Sequence, residues 1–139
     1  MIVIDTNVLS ESVKTVPEAA VLSWLANQET RAVFITTITQ AEMLHGVELL
    51  PIGKRRTRLQ DTIEDLFATE FQGRILSFDE AAARAYPKIV ANREAKGRPI
   101  SQFDAMIASI CRCHRASIAT RNVQDFEHCG IPIINPWKE

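Results

Sequence analysis

The chain has no apolar run approaching the ~20 residues a membrane-spanning helix needs, so no membrane role is expected. It also has no excess of one charge. Sixteen Lys and Arg stand against 17 Asp and Glu, for a net charge of −1 at pH 7. Global attraction to nucleic acid is therefore excluded, and any such binding must come from local patches. The N-terminus has no basic region followed by an apolar stretch and a small-residue cleavage site, so a cytoplasmic protein is expected. Cysteines number three, an odd count that argues against a disulfide framework and for free thiols in a reducing compartment. Cys111-x-Cys113-His114 has no second ligand pair at matching spacing, so Cys111 is read as helix packing rather than zinc ligation. Aromatic residues make up 6% of the chain and form no visible stacking platform, which argues against a plain single-strand-binding module. No linker, repeat or low-complexity tract interrupts the sequence, so residues 1–139 are read as one domain.

What is present is an alternation. Short apolar runs at Met1–Ile4, Ala32–Ile35, Ile75–Ser77, Ser117–Ala119 and Ile131–Ile134 read as strands buried on both faces. Helix-period segments lie between them, at Pro17–Ala26, Thr39–Leu50, Arg55–Phe71, Glu80–Lys96 and Gln102–His114. Asp79 and Ser101 are candidate N-caps, and Gly97 is a candidate stop. The pattern predicts an α/β fold, with a short parallel sheet flanked by helices on both faces.

Asp5 ends the first strand, at the sheet edge where open α/β folds place their chemistry. A buried carboxylate needs hydrogen bonds, a cation or a metal. Glu42 and Asp104 are expected in first helical turns at the same edge. Each also has a plain capping role available, Glu42 with Thr39 and Asp104 with Ser101. Three acids meeting without a cation would repel, and a hard divalent ion such as Mg²⁺ relieves that. After the fourth strand comes Thr120-Arg121-Asn122-Val123-Gln124-Asp125. Asn122 and Asp125 offer oxygen donors there or cap the next helix, and Thr120 offers a hydroxyl to orient a carboxylate.

These segments together resemble a known family. Ile2-Val3-Ile4-Asp5-Thr6-Asn7-Val8-Leu9-Ser10-Glu11, Thr39-x-x-Glu42-x-x-x-Gly46, Pro99-Ile100-Ser101-x-x-Asp104-Ala105-x-Ile107-Ala108 and Ala119-Thr120-Arg121-Asn122-Val123-x-Asp125-Phe126 resemble, in order and spacing, the four motifs of PIN-domain proteins of the VapC/FitB toxin subgroup. The resemblance covers essentially the whole chain. It implies a Mg²⁺- or Mn²⁺-dependent endoribonuclease, the toxin of a toxin–antitoxin pair. It implies a homodimer whose antitoxin binds near the active-site groove. Asp5, Glu42 and Asp104 would be the acidic metal-holding core, with Thr6, Asn7 and Thr120 orienting them. Many PIN domains have Asp where this chain has Asn122. The resemblance therefore implies one charge fewer there unless Asp125 contributes.

Arg93, Lys96 and Arg98 precede Asp104, and Arg121 lies in the fourth motif. These four are the expected contacts to a substrate backbone. Lys54-Arg55-Arg56-x-Arg58 is read as a solvated helix start, with Arg58 pairing Asp61, or as a contact to RNA phosphates or an acidic partner. His45 and His128 are read as structural, and Phe103 as core. Two rival functions are weighed. A receiver-type phosphoacceptor domain needs an acidic pair after the first strand, where this chain has only Asp5. The second is a PIN-like module that binds RNA or protein without cutting it, a rival that the neutral Asn122 keeps open.

Overall fold

The computed structural model describes residues 1–139. The apolar run at the N-terminus forms strand β1 (Ile2–Ile4), followed at once by α1 (Thr6–Ser12) and α2 (Ala19–Ala26). Then come β2 (Val33–Thr36), α3 (Thr37–Glu48), α4 (Lys54–Asp65), β3 (Ile75–Leu76), α5 (Glu80–Ala95), α6 (Gln102–Cys113), β4 (Ser117–Ala119), α7 (Val123–Phe126) and β5 (Ile133–Ile134). The five strands form one parallel sheet in the order β3-β2-β1-β4-β5. This is the predicted architecture.

The register explains the two-sided core. Val3 pairs with Ile118 and Ile4 with Ala119. Adjacent residues of a strand point to opposite faces. Val3 and Ile118 therefore enter a core with Ile89 of α5 and Ile107 and Ile110 of α6. Ile4 and Ala119 enter a second core with Val8 of α1, Val21 of α2, Met43 of α3 and Ile63 of α4. Helices cover both faces, which is why the strands read as continuous apolar runs.

The helix ends follow the sequence signals in most places. Asp79 caps α5 through Ala82 N–H, and Ser101 caps α6 through Asp104 N–H. Gly97 adopts φ +69 after α5, with Gly97 N–H bonded to Glu94 O and Arg98 N–H to Arg93 O. That reversal satisfies the last carbonyls of the helix and favours glycine at this position. One start differs from expectation. Thr36, not a residue near Thr39, caps α3, and its hydroxyl accepts from Thr39 N–H at 3.2 Å. Glu42 thus lies in the second turn of α3 and takes no part in a capping box. The near-repeat Thr36-Thr37-Ile38-Thr39 offers three cap candidates, and strand β2 ends one position before the first helical residue.

The strand order sets the location of the site. The chain steps from β1 outward through β2 and β3, then returns to the other side of β1 as β4 and β5. The crevice between the carboxyl ends of β1 and β4 is the topological switch point, where open α/β sheets bind ligands.

Candidate active site

Asp5 sits in that crevice, 6% exposed. Its Oδ1 accepts from the Thr6 N–H at 2.8 Å, so it also caps α1. Its Oδ2 accepts from the Thr120 hydroxyl at 2.8 Å and from Asn7 Nδ2 at 3.3 Å. Thr120 is fully buried, and its oxygen also accepts from Asn122 N–H and from Asn7 Nδ2. The hydroxyl therefore has its one proton and both lone pairs committed. Asn7 closes the bracket by accepting from the Arg121 N–H at 3.2 Å. The loops after β1 and β4 are tied together through Asp5 and its neighbours.

Glu42 is brought alongside by Thr6, whose hydroxyl donates to Glu42 Oε1 at 2.8 Å. With that proton committed, the 3.1 Å contact between the Thr6 and Thr39 hydroxyls has Thr39 as donor. Thr39 is fully buried, so this chain fixes α3 against the start of α1. Sequence reading assigned Thr39 only a capping role. Its side chain became available for this contact because Thr36 took the cap.

The carboxylates sense one another. Burial pushes the Asp5 carboxyl above its ordinary range; hydrogen bonds from Thr120 and Thr6 oppose this, and the charges of Glu42 and Asp125 add to it. Burial likewise raises Asp104, with Ser101 opposing and Asp5 and Asp125 adding. Asp5, at the end of β1, thus lies within electrostatic reach of Glu42 on α3, Asp104 on α6 and Asp125 on α7. None of them takes part in an ion pair. Asn122, the alternative fourth donor, is solvent-exposed, and its side chain makes no capping bond. Asp125 is likewise exposed, and its charge adds a minor contribution to the raising of Asp5 and Asp104.

A set of carboxylate oxygens with no compensating cation matches what a hard divalent ion requires. As the side chains lie, no three of them form a closed cage. Glu42 and Asp104 are each half-buried.

The basic residues divide. Arg93 was expected to hold substrate, but it is only 4% exposed. Its guanidinium donates to the carbonyls of Arg98, Gln124, Asp125 and Glu127. It is a buried brace for the loop that carries Asp125, and it is not available to an RNA phosphate. Arg93 falls four residues after Ile89 on the buried side of α5, but that spacing alone does not supply the carbonyls that let an arginine be buried there. Arg98 is exposed and pairs with Glu127 at 3.0 Å. Lys96 is exposed at the end of α5. Arg121 is exposed and lies over the Trp137 ring at 5.2 Å. The expected Arg58–Asp61 pair does not form.

Phe103 is also corrected: it is 52% exposed rather than core. It stands in the first turn of α6 and borders a groove with His45 and Leu49. Glu11, which drew no separate reading, is buried and anchors the turn into α2. Its carboxylate accepts from Glu18 N–H and Lys14 Nζ, and the Lys14 bond holds its pKa below the ordinary range. The three cysteines are free, with Cys111 and Cys129 buried. No helix is long and apolar enough to cross a membrane.

With the parallel sheet and the acids at its switch point in place, the sequence matches the PIN domain over residues 2–130. The chain belongs to the PIN-domain family. It is 40% identical over 138 residues to VapC ribonuclease Y4jK of Sinorhizobium fredii, covering 99% of each chain. It is 35% identical to Toxin FitB of Neisseria gonorrhoeae, covering all of both chains. The crystal structure of FitAcB from Neisseria gonorrhoeae superposes with a TM-score of 0.95 at 35% identity, again over the full length of both chains.

Proposed function

We propose that the protein is a Mg²⁺- or Mn²⁺-dependent endoribonuclease that acts as the toxin of a toxin–antitoxin pair. The observation that carries the chemistry is the convergence of Asp5, Glu42, Asp104 and Asp125 with no ion-pair partner among them. Kinship with a VapC ribonuclease and with Toxin FitB supports RNA as substrate and an antitoxin protein as partner. A homodimer is part of the same reading.

In this reading Asp5, Glu42 and Asp104 hold the ion, and Asp125 is the fourth acid where Asn122 is neutral. When bound, the ion polarises a phosphate oxygen and lowers the pKa of a coordinated water. The protein contributes fixed geometry. Thr120, Thr6 and Asn7 hold the Asp5 carboxylate in one orientation. Thr6 ties Glu42 to the same frame, so two acids from distant segments share one hydroxyl-bearing bridge. Arg93 sets the loop of Asp125 from beneath. In this reading the exposed Lys96 and Arg121 meet substrate phosphates, and Arg98 joins them where its contact to Glu127 yields.

The test is cleavage of RNA by purified protein with Mg²⁺ or Mn²⁺. Wild type should cut and a chelator should stop it. Asp5→Asn should reduce the rate by at least about a hundredfold, as loss of a directly acting group does. Undiminished cleavage by a contaminant-free Asp5→Asn preparation refutes the proposal.

A further inference from the structure

Strands β4 and β5 pair with Ala119 opposite Ile134, and the Thr120 N–H donates to Ile134 O at 2.9 Å. Arg121 follows the end of β4 and Trp137 follows the end of β5, so both emerge at the carboxyl edge of the sheet, beside Asp5. There the Arg121 guanidinium lies 5.2 Å from the centre of the Trp137 ring. Arg121 is anchored at its other end too. Its backbone N–H donates to Asn7 Oδ1, and Asn7 Nδ2 donates to Asp5 Oδ2. The ring is fixed in turn. Asn135 Oδ1 accepts from the Trp137 N–H at 3.0 Å, Pro136 is buried, and Trp137 packs against the core that holds Ile4, Val8 and Ala119. No acid takes part in this arrangement. Arg121 is exposed and belongs to none of the ion pairs of the chain, whereas Arg56 sits on Glu48 and Arg98 on Glu127. Glu11 feels the Arg121 charge, but its carboxylate is committed to Lys14 and to the Glu18 N–H.

We infer that Trp137 is a positioning residue, whose ring holds the Arg121 guanidinium beside the acid crevice with its charge uncancelled, for a phosphate of the RNA substrate. This role rests on the proposed ribonuclease activity and adds the residue that aims one of its cations. A long arginine side chain loses rotamer freedom when it closes on a ligand, and prior restraint lowers that cost. A carboxylate could supply the restraint, but it would occupy the same N–H donors that a phosphate needs and would cancel the charge. An aromatic face restrains differently. It attracts the cation through the negative face of its ring and takes none of the N–H donors, which lie in the guanidinium plane. Restraint from a ring on one side and from the Asp5 frame on the other therefore leaves Arg121 both placed and fully charged. The plainer alternative is that Trp137 only seals the core below β5 and that Arg121 rests on it without consequence.

The test is a double-mutant cycle in the full-length protein. Trp137→Leu keeps an apolar side chain on the core but removes the ring face, and Arg121→Gln removes the cation. Binding of a short fluorescein-labelled single-stranded RNA is measured in the Asp104→Asn background with a chelator present, so that no strand is cut. Trp137→Leu should weaken binding about threefold, the worth of an exposed cation–π contact. Arg121→Gln should weaken it further and lower the slope of log K against log salt by about 0.7. Once residue 121 is Gln, Trp137→Leu should cost nothing more. In the cleaving protein, Trp137→Leu should raise KM about threefold with kcat within about twofold. Should Trp137→Leu fail to fold, ring-fluorinated tryptophan keeps the shape and weakens only the negative face. The chain has two tryptophans, so a Trp24→Phe background confines the label to Trp137. Affinity should then fall with each added fluorine when Arg121 is present and stay level when it is Gln. A loss on Trp137→Leu that is equal with and without Arg121 overturns the positioning role, as does unchanged affinity or a flat fluorine series. Such a result in a protein that cuts RNA leaves the ribonuclease reading intact. If the cycle shows the coupling yet wild type cuts nothing with Mg²⁺ or Mn²⁺, the positioning role stands and the ribonuclease reading falls.

Discussion

Replacing Asp104 by Asn separates the cost of the acid cluster from its use. Asp104 is half-buried and its carboxyl is raised above the ordinary value of 3.8, first by burial and then by Asp5 and Asp125. A raised value means that the charged form is disfavoured in the fold. The metal-free Asp104→Asn protein should therefore melt somewhat higher than wild type. Divalent metal should reverse the order. An ion that binds only the folded state stabilises it by ~2.7 kcal/mol at a hundred times its Kd. At ~3 °C per kcal/mol for a domain of this size, wild type should gain ~8 °C. A variant whose affinity is tenfold lower should gain only about 1.4 kcal/mol, or ~4 °C, at the same concentration. Differential scanning fluorimetry with and without millimolar Mg²⁺ or Mn²⁺ measures both arms without reference to activity. Equal metal shifts in the two proteins, or none in wild type, would refute a metal role for Asp104. The pH dependence has a definite sign. Asp5 and Asp104 both bind a proton more readily folded than unfolded. Their contribution to metal-free stability is thus greatest below the unfolded value and declines as pH rises through the raised folded values. Metal binding needs the deprotonated acids, so the metal-induced shift should grow over the same interval.

Two other substitutions probe the frame around the acids. Thr120→Val keeps the shape but removes the 2.8 Å donor to Asp5 and the acceptor for Asn122 N–H. Cleavage should fall about 10- to 100-fold with circular dichroism unchanged, and a wild-type rate would show that the hydroxyl does not orient Asp5. Arg93→Leu removes the donors to the carbonyls of Gln124, Asp125 and Glu127 and should destabilise the fold by about 3 kcal/mol in urea melts. A loss below about 1 kcal/mol would return Arg93 to the surface-cation role that its sequence position suggested.

The elements were readable because their causes are local. Buried parallel strands impose unbroken apolar runs, and α5 and α6 carry their caps at Asp79 and Ser101. Asp5 was readable for a related reason, since a charge closing a run such as Ile2-Val3-Ile4 has few plain explanations. The misreadings were failures of non-local information. Arg93 lies in a charged stretch, and only the return of the chain through α7 supplies the carbonyls that bury it. Phe103 follows the apolar face of α6 in its spacing, but what covers that face is set by elements distant in sequence, and the side chain is left 52% exposed. Glu42 was placed in a first turn because the choice among Thr36, Thr37 and Thr39 depends on where β2 stops. The order of the strands was not readable at all, because parallel pairing partners are selected in space rather than along the chain.

The bond from Thr120 to Asp5 joins residues 115 positions apart. The consequence is temporal. During synthesis Asp5 is made well before its orienting hydroxyl, its Asn7 bracket to Arg121 and the charge of Asp125, all of which depend on β4 and the residues after it. A partly made chain carries Asp5 and Glu42 but neither β4 nor the frame that aligns them. In the proposed reading, the acid site cannot be completed on the ribosome until β4 and α7 have been translated.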